Sequence, residues 1–416
     1  MADRHGVVQH SACRRLDLLR CGLLVLALAA GAIVPGAAGA GLTDQFSSPQ
    51  FAGLGLEPLG PALANTVASI YPVASASSSV TYAYNPALET FERQTRVLGP
   101  IIGERAETIG KGQFDVALSY AYVHVSSING QDIHHLVNKP LIGSSFIFFP
   151  VPGGVRLADG RLTTVLPVRV NTDIDANANI IAPAVTYGIT PDWDVNLTLP
   201  LLDTSLSITA NAAVPDPRLP QFALPEGSPL QQTLRFHSAG SSFGVGDLLL
   251  RTKYVLLRER PIDVAAFLGV SFPTGADSDL QGTGTYRVQP QLVLSRIFFD
   301  RIEPLVNVGV DINASDVDRS VFRWAAGATA RVWGPLTAVA VFLGATQFNP
   351  LSEPIAQPFF FQIQRSDLFD VSLGLRWLFA ETGVISAGAL VPLNDDGLRA
   401  DVIPTVEVEY AFTTPW

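Results

Sequence analysis

"ITPDWDVNLTLPL" occupies Ile189–Leu201. After a tight turn at Thr190-Pro191-Asp192, the odd positions read Trp193, Val195, Leu197, Leu199, Leu201. The even positions read Asp194, Asn196, Thr198, Pro200. Alternation with a period of two marks a strand with two unlike faces. Which face meets water decides the fold. In a soluble sandwich the apolar faces would pool in a core; in a membrane barrel they would face lipid.

The pattern recurs. Phe114, Val116, Leu118, Tyr120 and Tyr122 alternate with small and polar residues, as do Tyr286–Leu294, Pro304–Ile312, Phe369–Phe379 and Val402–Phe412. A tilted strand of about 9–11 residues crosses a bilayer, which is the length seen here. Aromatic residues (Trp193, Tyr254, Tyr286, Trp324, Trp377, Tyr410) stand near the ends of the apolar stripes, the level that amphipathic rings prefer. About 12 strands are expected, near 113–124, 175–189, 193–208, 242–257, 262–273, 284–297, 303–314, 321–333, 336–348, 368–379, 384–394 and 401–412. Leu162–Val170 also alternates. It either extends the second strand or adds a hairpin, which would make about 14. Short links (Thr190–Asp192, Gly334–Pro335) alternate with long ones (125–174, 209–241, 349–367), the outer-membrane habit of short periplasmic turns and long outer loops. The fold class expected is therefore all-β, a transmembrane antiparallel barrel over 113–416.

Composition agrees. The chain of 416 residues is 48% hydrophobic and 15% charged, with 35 Gly and 30 Pro. Its lysines are Lys111, Lys139 and Lys253, a sparse supply for a water-facing surface. Residues 1–40 read as an export signal: Arg14, Arg15 and Arg20 precede the apolar run Cys21–Val34, and Ala38-Gly39-Ala40 supplies small residues for cleavage. Cys13 and Cys21 both lie in that segment, so the remainder carries no thiol chemistry. Removing its four arginines and two aspartates takes the formal charge from −10 to −12, which argues against nucleic acid as a partner.

"YNPALETF" (Tyr84–Phe91), "GPIIGERAETIGKGQFDVALSYAY" (Gly99–Tyr122), "YGITPDWDV" (Tyr187–Val195), "GVGDLLLRTKY" (Gly244–Tyr254) and "FPTG" (Phe272–Gly275) follow one another in an order that resembles the family named for the MetA pathway of phenol degradation. That family is similar in turn to the long-chain fatty-acid transporters of the outer membrane. The resemblance implies an N-terminal hatch over 41–112, with Asn85, Pro86 and Ala87 as its motif, and passive uptake of small hydrophobic compounds, aromatic ones among them. The long Pro-rich insertion at 209–232 departs from the pattern. On its own terms the segment reads as a short helix, of a hatch or of a periplasmic linker: Asn85 can cap it, Pro86 suits its first turn, and Gly99-Pro100 would end it. Residues 41–82, small and rich in Gly, Pro and Ser, read as lumen lining or as partly disordered.

Catalytic, cofactor-binding and metal residues are not expected. His134-His135 alone is a weak metal signal, because a site needs several ligands at fixed spacing. His124 and Ser126 lack a third orienting group for nucleophilic chemistry. The polar faces instead supply lumen charges: Asp115, Asp194, Asp247, Arg251, Lys253, Asp263, Arg287, Glu303, Asp311, Arg323, Arg331, Asp370, Arg376, Glu407 and Glu409. Their plain role is to brace the wall, and their other role is to line a solute path. Opposed residues of an antiparallel pair share one sum of residue numbers. Asp311 would then face both Arg287 and Arg323 directly, and Glu303 would face Arg331. The loops "LIGSSFIFFPVPGG" (Leu141–Gly154) and "VPDPRLPQFALP" (Val214–Pro225) are apolar enough to collect a hydrophobic solute or to roof the barrel. Tyr410, Phe412 and Trp416 end the last strand as an aromatic signal for the outer-membrane assembly machinery. The reading is an outer-membrane channel in contact with lipid and that machinery. A narrow hydrophilic pore and a structural barrel are the alternatives.

Overall fold

Strand pairing answers the question posed by Ile189–Leu201. In the computed structural model, which describes residues 41–48, 51, 59–70, 75–76, 82–85, 90–93, 97–137, 147–215, 217, 219–228, 233–258, 261–348, 367–379 and 382–413, the strands close into one barrel. Its walls are twelve antiparallel strands: β1 (Gln113–Ile128), β2 (Leu162–Thr190), β3 (Trp193–Thr198 and Leu201–Ala213), β4 (Thr233–Val245 and Leu248–Leu257), β5 (Asp263–Phe272), β6 (Arg287–Ser295), β7 (Ile302–Asn313), β8 (Val321–Trp333), β9 (Leu336–Gln347), β10 (Asp367–Phe379), β11 (Gly383–Pro392) and β12 (Leu398–Ala400 and Ile403–Thr413). The seam is β12 against β1, from Thr405↔Ala121 to Thr413↔Gln113. Closure removes the exposed edges that an open sheet would offer to other chains.

The apolar faces look outward. Trp193 and Leu197 are exposed while Asp194, Asn196 and Thr198 between them are 1–2% exposed. Leu118, Leu268, Leu292, Val308, Leu373 and Val406 stand out around the wall in the same way. This inverts the burial rule of a water-soluble protein. It is the arrangement that a hydrocarbon solvent selects, since a closed sheet pairs its backbone polar groups between strands and leaves no open edge. Aromatic rings flank the belt. Trp193, Tyr254, Trp377 and Tyr410 lie toward the short-turn end and Tyr286 toward the long-loop end, all well exposed.

Leu162–Val170 extends β2 to 29 residues and adds no transmembrane hairpin, so the wall count is twelve. Its outer part pairs with Ile147–Arg156 beyond the barrel. There Leu157, Leu166 and Leu224 bury one another, with Val151, Val155, Val214 and Phe222 packed against them. The described parts of the two apolar loops are thus packed on each other; Leu141–Phe146 lie outside the described residues.

The hatch helix expected from Asn85 to Leu98 does not form. Tyr82–Asn85 and Thr90–Arg93 pair as a small antiparallel ladder, and Pro86 and Ala87 lie outside the described residues. The helix of this region is α1 (Leu59–Ile70), preceded by a 3-10 turn at Leu42–Ser47. Residues 1–40 and Trp416 also lie outside the described residues.

Candidate functional site

The barrel interior is built in two layers. Toward the long-loop end the inward residues of β1–β3 are aliphatic, Val123 and Val125 on β1, Val170 and Ile174 on β2, Leu206 and Ile208 on β3, whereas those of β6–β12 at this level include Arg287, Asp311, Arg323, Asp370 and Arg399. Leu42, Phe46, Leu59, Leu63 and Val67 from the N-terminal turn and α1 pack into this layer and are at most 5% exposed. Polar ties hold them there. The Leu42 N–H donates to Asp279 Oδ1 (3.0 Å), and Thr43 Oγ1 donates to the Ser278 carbonyl (3.1 Å).

Toward the short-turn end the interior is charged, and the segment 97–112 crosses it as a floor. Glu104 and Arg105 are its centre. The Glu104 carboxylate accepts from the Ala76 N–H (2.8 Å) and lies 3.5 Å from Lys253 Nζ. Asn307 clasps the same residue through both of its backbone groups, 2.8 Å each. Arg105 is fully buried, 3.3 Å from Glu303, which also accepts from Ser295 Oγ (3.0 Å). Arg376 closes the other side: it donates to the Gly99 and Pro100 carbonyls and pairs with Glu409 at 2.6 Å. Two glycines make room for this chain. A Cβ on Gly188 would stand 1.8 Å from the Gly110 carbonyl oxygen, and one on Gly374 would stand 2.4 Å from Ile101 Cδ1.

Against the floor residues Ile102–Glu104, on the side of β4–β12, lies a cavity of about 290 Å³. Asp247, Arg251, Arg287, Asp311, Arg323, Asp370 and Arg399 line it beside Leu249, Phe267, Leu343, Leu390 and Ile403. Asp311 is the hub of its polar side. It binds Arg287 at 2.8 Å and Arg323 at 3.0 Å and accepts from Gln289 at 3.2 Å. A second hub is Asp247, whose carboxylate accepts from the Gly275 and Thr283 N–H groups. Arg399 reaches Asp370 at 2.9 Å.

Every charge picked out by strand alternation lies on the inward, buried or half-buried face, so the facing was legible. The register was not. Arg287 stands opposite Asn313 and Arg323 opposite Gly309, so Asp311 meets both arginines diagonally, two residues away from direct opposition. Long side chains bridge such diagonals. Glu303 faces Thr329 and pairs with Arg105 instead of Arg331. Glu104, Arg105 and Arg399 escaped notice. The first two stand in "GERAET", where adjacent opposite charges within a stretch poor in them were the available signal.

On the outer loops, the Asp132 carboxyl accepts the His134 N–H (2.8 Å), which holds it below the usual carboxylate range. Among the described residues, no group of three or more His, Cys, Asp or Glu is placed to hold a metal ion.

The model of the family described as the MetA-pathway of phenol degradation matches residues 156–397. The chain belongs to that family. The match begins six residues before β2 and ends at the residue before β12, so the hatch motif and the floor lie outside it. Among solved structures, an outer-membrane channel from Pseudomonas putida F1 is similar at 12% identity and a TM-score of 0.43, over 74% of this chain and 98% of that one. A FadL homologue from Pseudomonas aeruginosa is similar at 8% identity and a TM-score of 0.33, over 72% and 90%. The Pseudomonas putida toluene transporter TodX is similar at 11% identity and a TM-score of 0.33, over 85% and 98%. No curated protein matches the chain.

Proposed function

We propose that this member of the phenol-degradation family is an outer-membrane channel for passive uptake of small hydrophobic compounds, aromatic ones included. The observation that carries the reading is the apolar inner wall. A water-filled porin lumen is polar, whereas here Val123, Val125, Val170, Ile174, Leu206 and Ile208 face inward. An apolar solute gains about 25 cal/mol per Å² on leaving water for such a wall. The floor and α1, read together as a hatch over 41–112, close the short-turn end and cover this wall, so passage requires part of them to shift and uncover it. The buried charges of the floor brace it, and the cavity against the floor, with Leu249, Phe267, Leu343, Leu390 and Ile403 in its lining, is a resting point for a small solute.

The arginine-rich side of that cavity favours a second reading, a narrow polar pore. Cells expressing the protein in a background without other hydrocarbon channels should accumulate a labelled aromatic hydrocarbon faster, with sugar uptake unchanged. Faster sugar uptake with no aromatic gain would select the polar pore.

A further inference from the structure

Two histidines that are ten residues apart in sequence meet on the outside of the barrel. His124 lies on the outward face of β1, past the exposed ring of Tyr120. His134 is carried by the short 3-10 turn Ile133–His135, and Asp132 fixes that turn by accepting the His134 N–H. The rings lie nearly parallel, 14° between planes, and their Nε2 atoms are 3.3 Å apart in hydrogen-bond geometry.

The other nitrogen of each ring is committed. His124 Nδ1 is 2.6 Å from Asn177 Oδ1, and the orientation of that amide is set because Asn177 Nδ2 donates to Asp175 (2.6 Å). An amide oxygen only accepts, so Nδ1 of His124 carries the hydrogen. His134 Nδ1 is 3.2 Å from the Asp173 carboxylate, which likewise calls for a donor. With both Nδ1 atoms donating, each Nε2 is the acceptor when its ring is neutral, and the two Nε2 atoms face one another across a gap that a shared proton or a metal ion would fill. Two lone pairs at this distance repel unless a positive species lies between them.

We infer that His124 and His134 form a two-imidazole site for a borderline divalent transition ion such as Zn²⁺, Ni²⁺ or Cu²⁺ on the outer rim of the barrel. Two nitrogens, each about 2.0–2.1 Å from a tetrahedral ion, stand about 3.3 Å apart, the separation found here. Nδ1 donation to a carboxylate or amide oxygen is the outer-shell pattern that orients metal-bound histidine and raises its basicity. The histidine side chains are 36% and 29% exposed, so water completes the coordination. Imidazole nitrogen selects these ions over Mg²⁺ and Ca²⁺, which prefer oxygen. The motif His134-His135 misleads as a pair: His135 turns away to Asp132 (3.1 Å).

The test is calorimetric titration of ZnCl₂ into the full folded chain in detergent, purified without a histidine tag, with MgCl₂ as the comparison. Heat-modifiable migration on gels confirms that each variant stays a folded barrel. One saturable Zn²⁺ event is expected, weakened at least tenfold by His124→Gln and by His134→Gln. Asp173→Asn should weaken it about tenfold through the outer shell. His237→Gln and His135→Gln should leave it unchanged. With Cu²⁺, electron paramagnetic resonance should show nitrogen hyperfine structure that either His124→Gln or His134→Gln reduces. Absence of saturable Zn²⁺ binding, or binding that survives His124→Gln and His134→Gln intact, would overturn the site. The pair would then hold only a shared proton. Uptake of an aromatic solute decides the channel reading separately.

Discussion

Asp311 shows how much one residue can hold. Its two carboxylate oxygens divide between Arg287 and Arg323 on the neighbouring strands, and it is 1% exposed. Asp311→Ala should leave two unneutralised guanidiniums beside the cavity. The reversal potential should move toward anion selectivity, and the barrel should lose about 1.5–3 kcal/mol, the worth of hydrogen bonds to charged groups. The double variant Asp311→Ala, Arg323→Ala should recover part of the selectivity change. An unmoved reversal potential would count against the bracing role. On the other face, Leu292 and Val308 stand directly opposite one another in the outward belt. Arginine at either should cost about 2–4 kcal/mol in a bilayer. Gln291→Arg, on the inward face, should be tolerated far better, as measured by unfolding from lipid vesicles. The facing of all these residues is legible from alternation, because a strand's period of two admits only two answers. The register is not, because it depends on where each turn tightens. Phe299 and Asp300 take positive φ in the turn after β6, and a short 3-10 turn at Val317–Arg319 follows β7. Each shifts its pairing by two residues from the sequence expectation without changing which side chains face inward.

Among elements, the floor 97–112 depends on what the wall omits as much as on what it contributes. Gly188 lets the chain pass against β2, where the Gly112 N–H donates to its carbonyl at 2.8 Å. Gly188→Leu should displace the floor at its exit and raise single-channel conductance, while heat-modifiable migration shows the barrel still formed. Unchanged conductance would mean that the floor does not limit the pore. A covalent lock gives the converse. The Ala106 N–H donates to Ser295 Oγ at 2.9 Å. The only cysteines of the chain are Cys13 and Cys21, so the pair Ala106→Cys, Ser295→Cys can be oxidised with little background. Oxidation should slow aromatic uptake and reduction should restore it; rates indifferent to redox state would place the route elsewhere. The helix of this region was misplaced for a physical reason. Asn85-Pro86 and Gly99-Pro100 carry local start and stop signals, but pairing of Tyr82–Asn85 with Thr90–Arg93 overrides them. α1 hides in "LGPALANTVASI", which has no charged face to reveal its period because the surrounding barrel buries much of it.

At the scale of the whole molecule, the seam carries the closing contacts. Phe412 stacks on Phe114 with ring centroids 5.6 Å apart, and Thr413 Oγ1 donates to Gln113 across 300 residues of chain. Phe412→Ala combined with removal of Trp416 should lower the folded fraction in outer-membrane extracts, read as loss of the faster-migrating unheated band. A folded fraction equal to the parent would argue against an aromatic assembly signal. The same seam limits how the interior can be filled. The floor is continuous with β1, has Glu104 and Arg105 buried at its centre, and is tied by buried side chains to strands as far along the chain as β10. Once β12 zips to β1, the wall offers no gap past the lipid belt, so Glu104 and Arg105 reach Lys253 and Glu303 either before the seam forms or through the short-turn mouth. By either route, the last strand of the barrel encloses the segment that leads into its first.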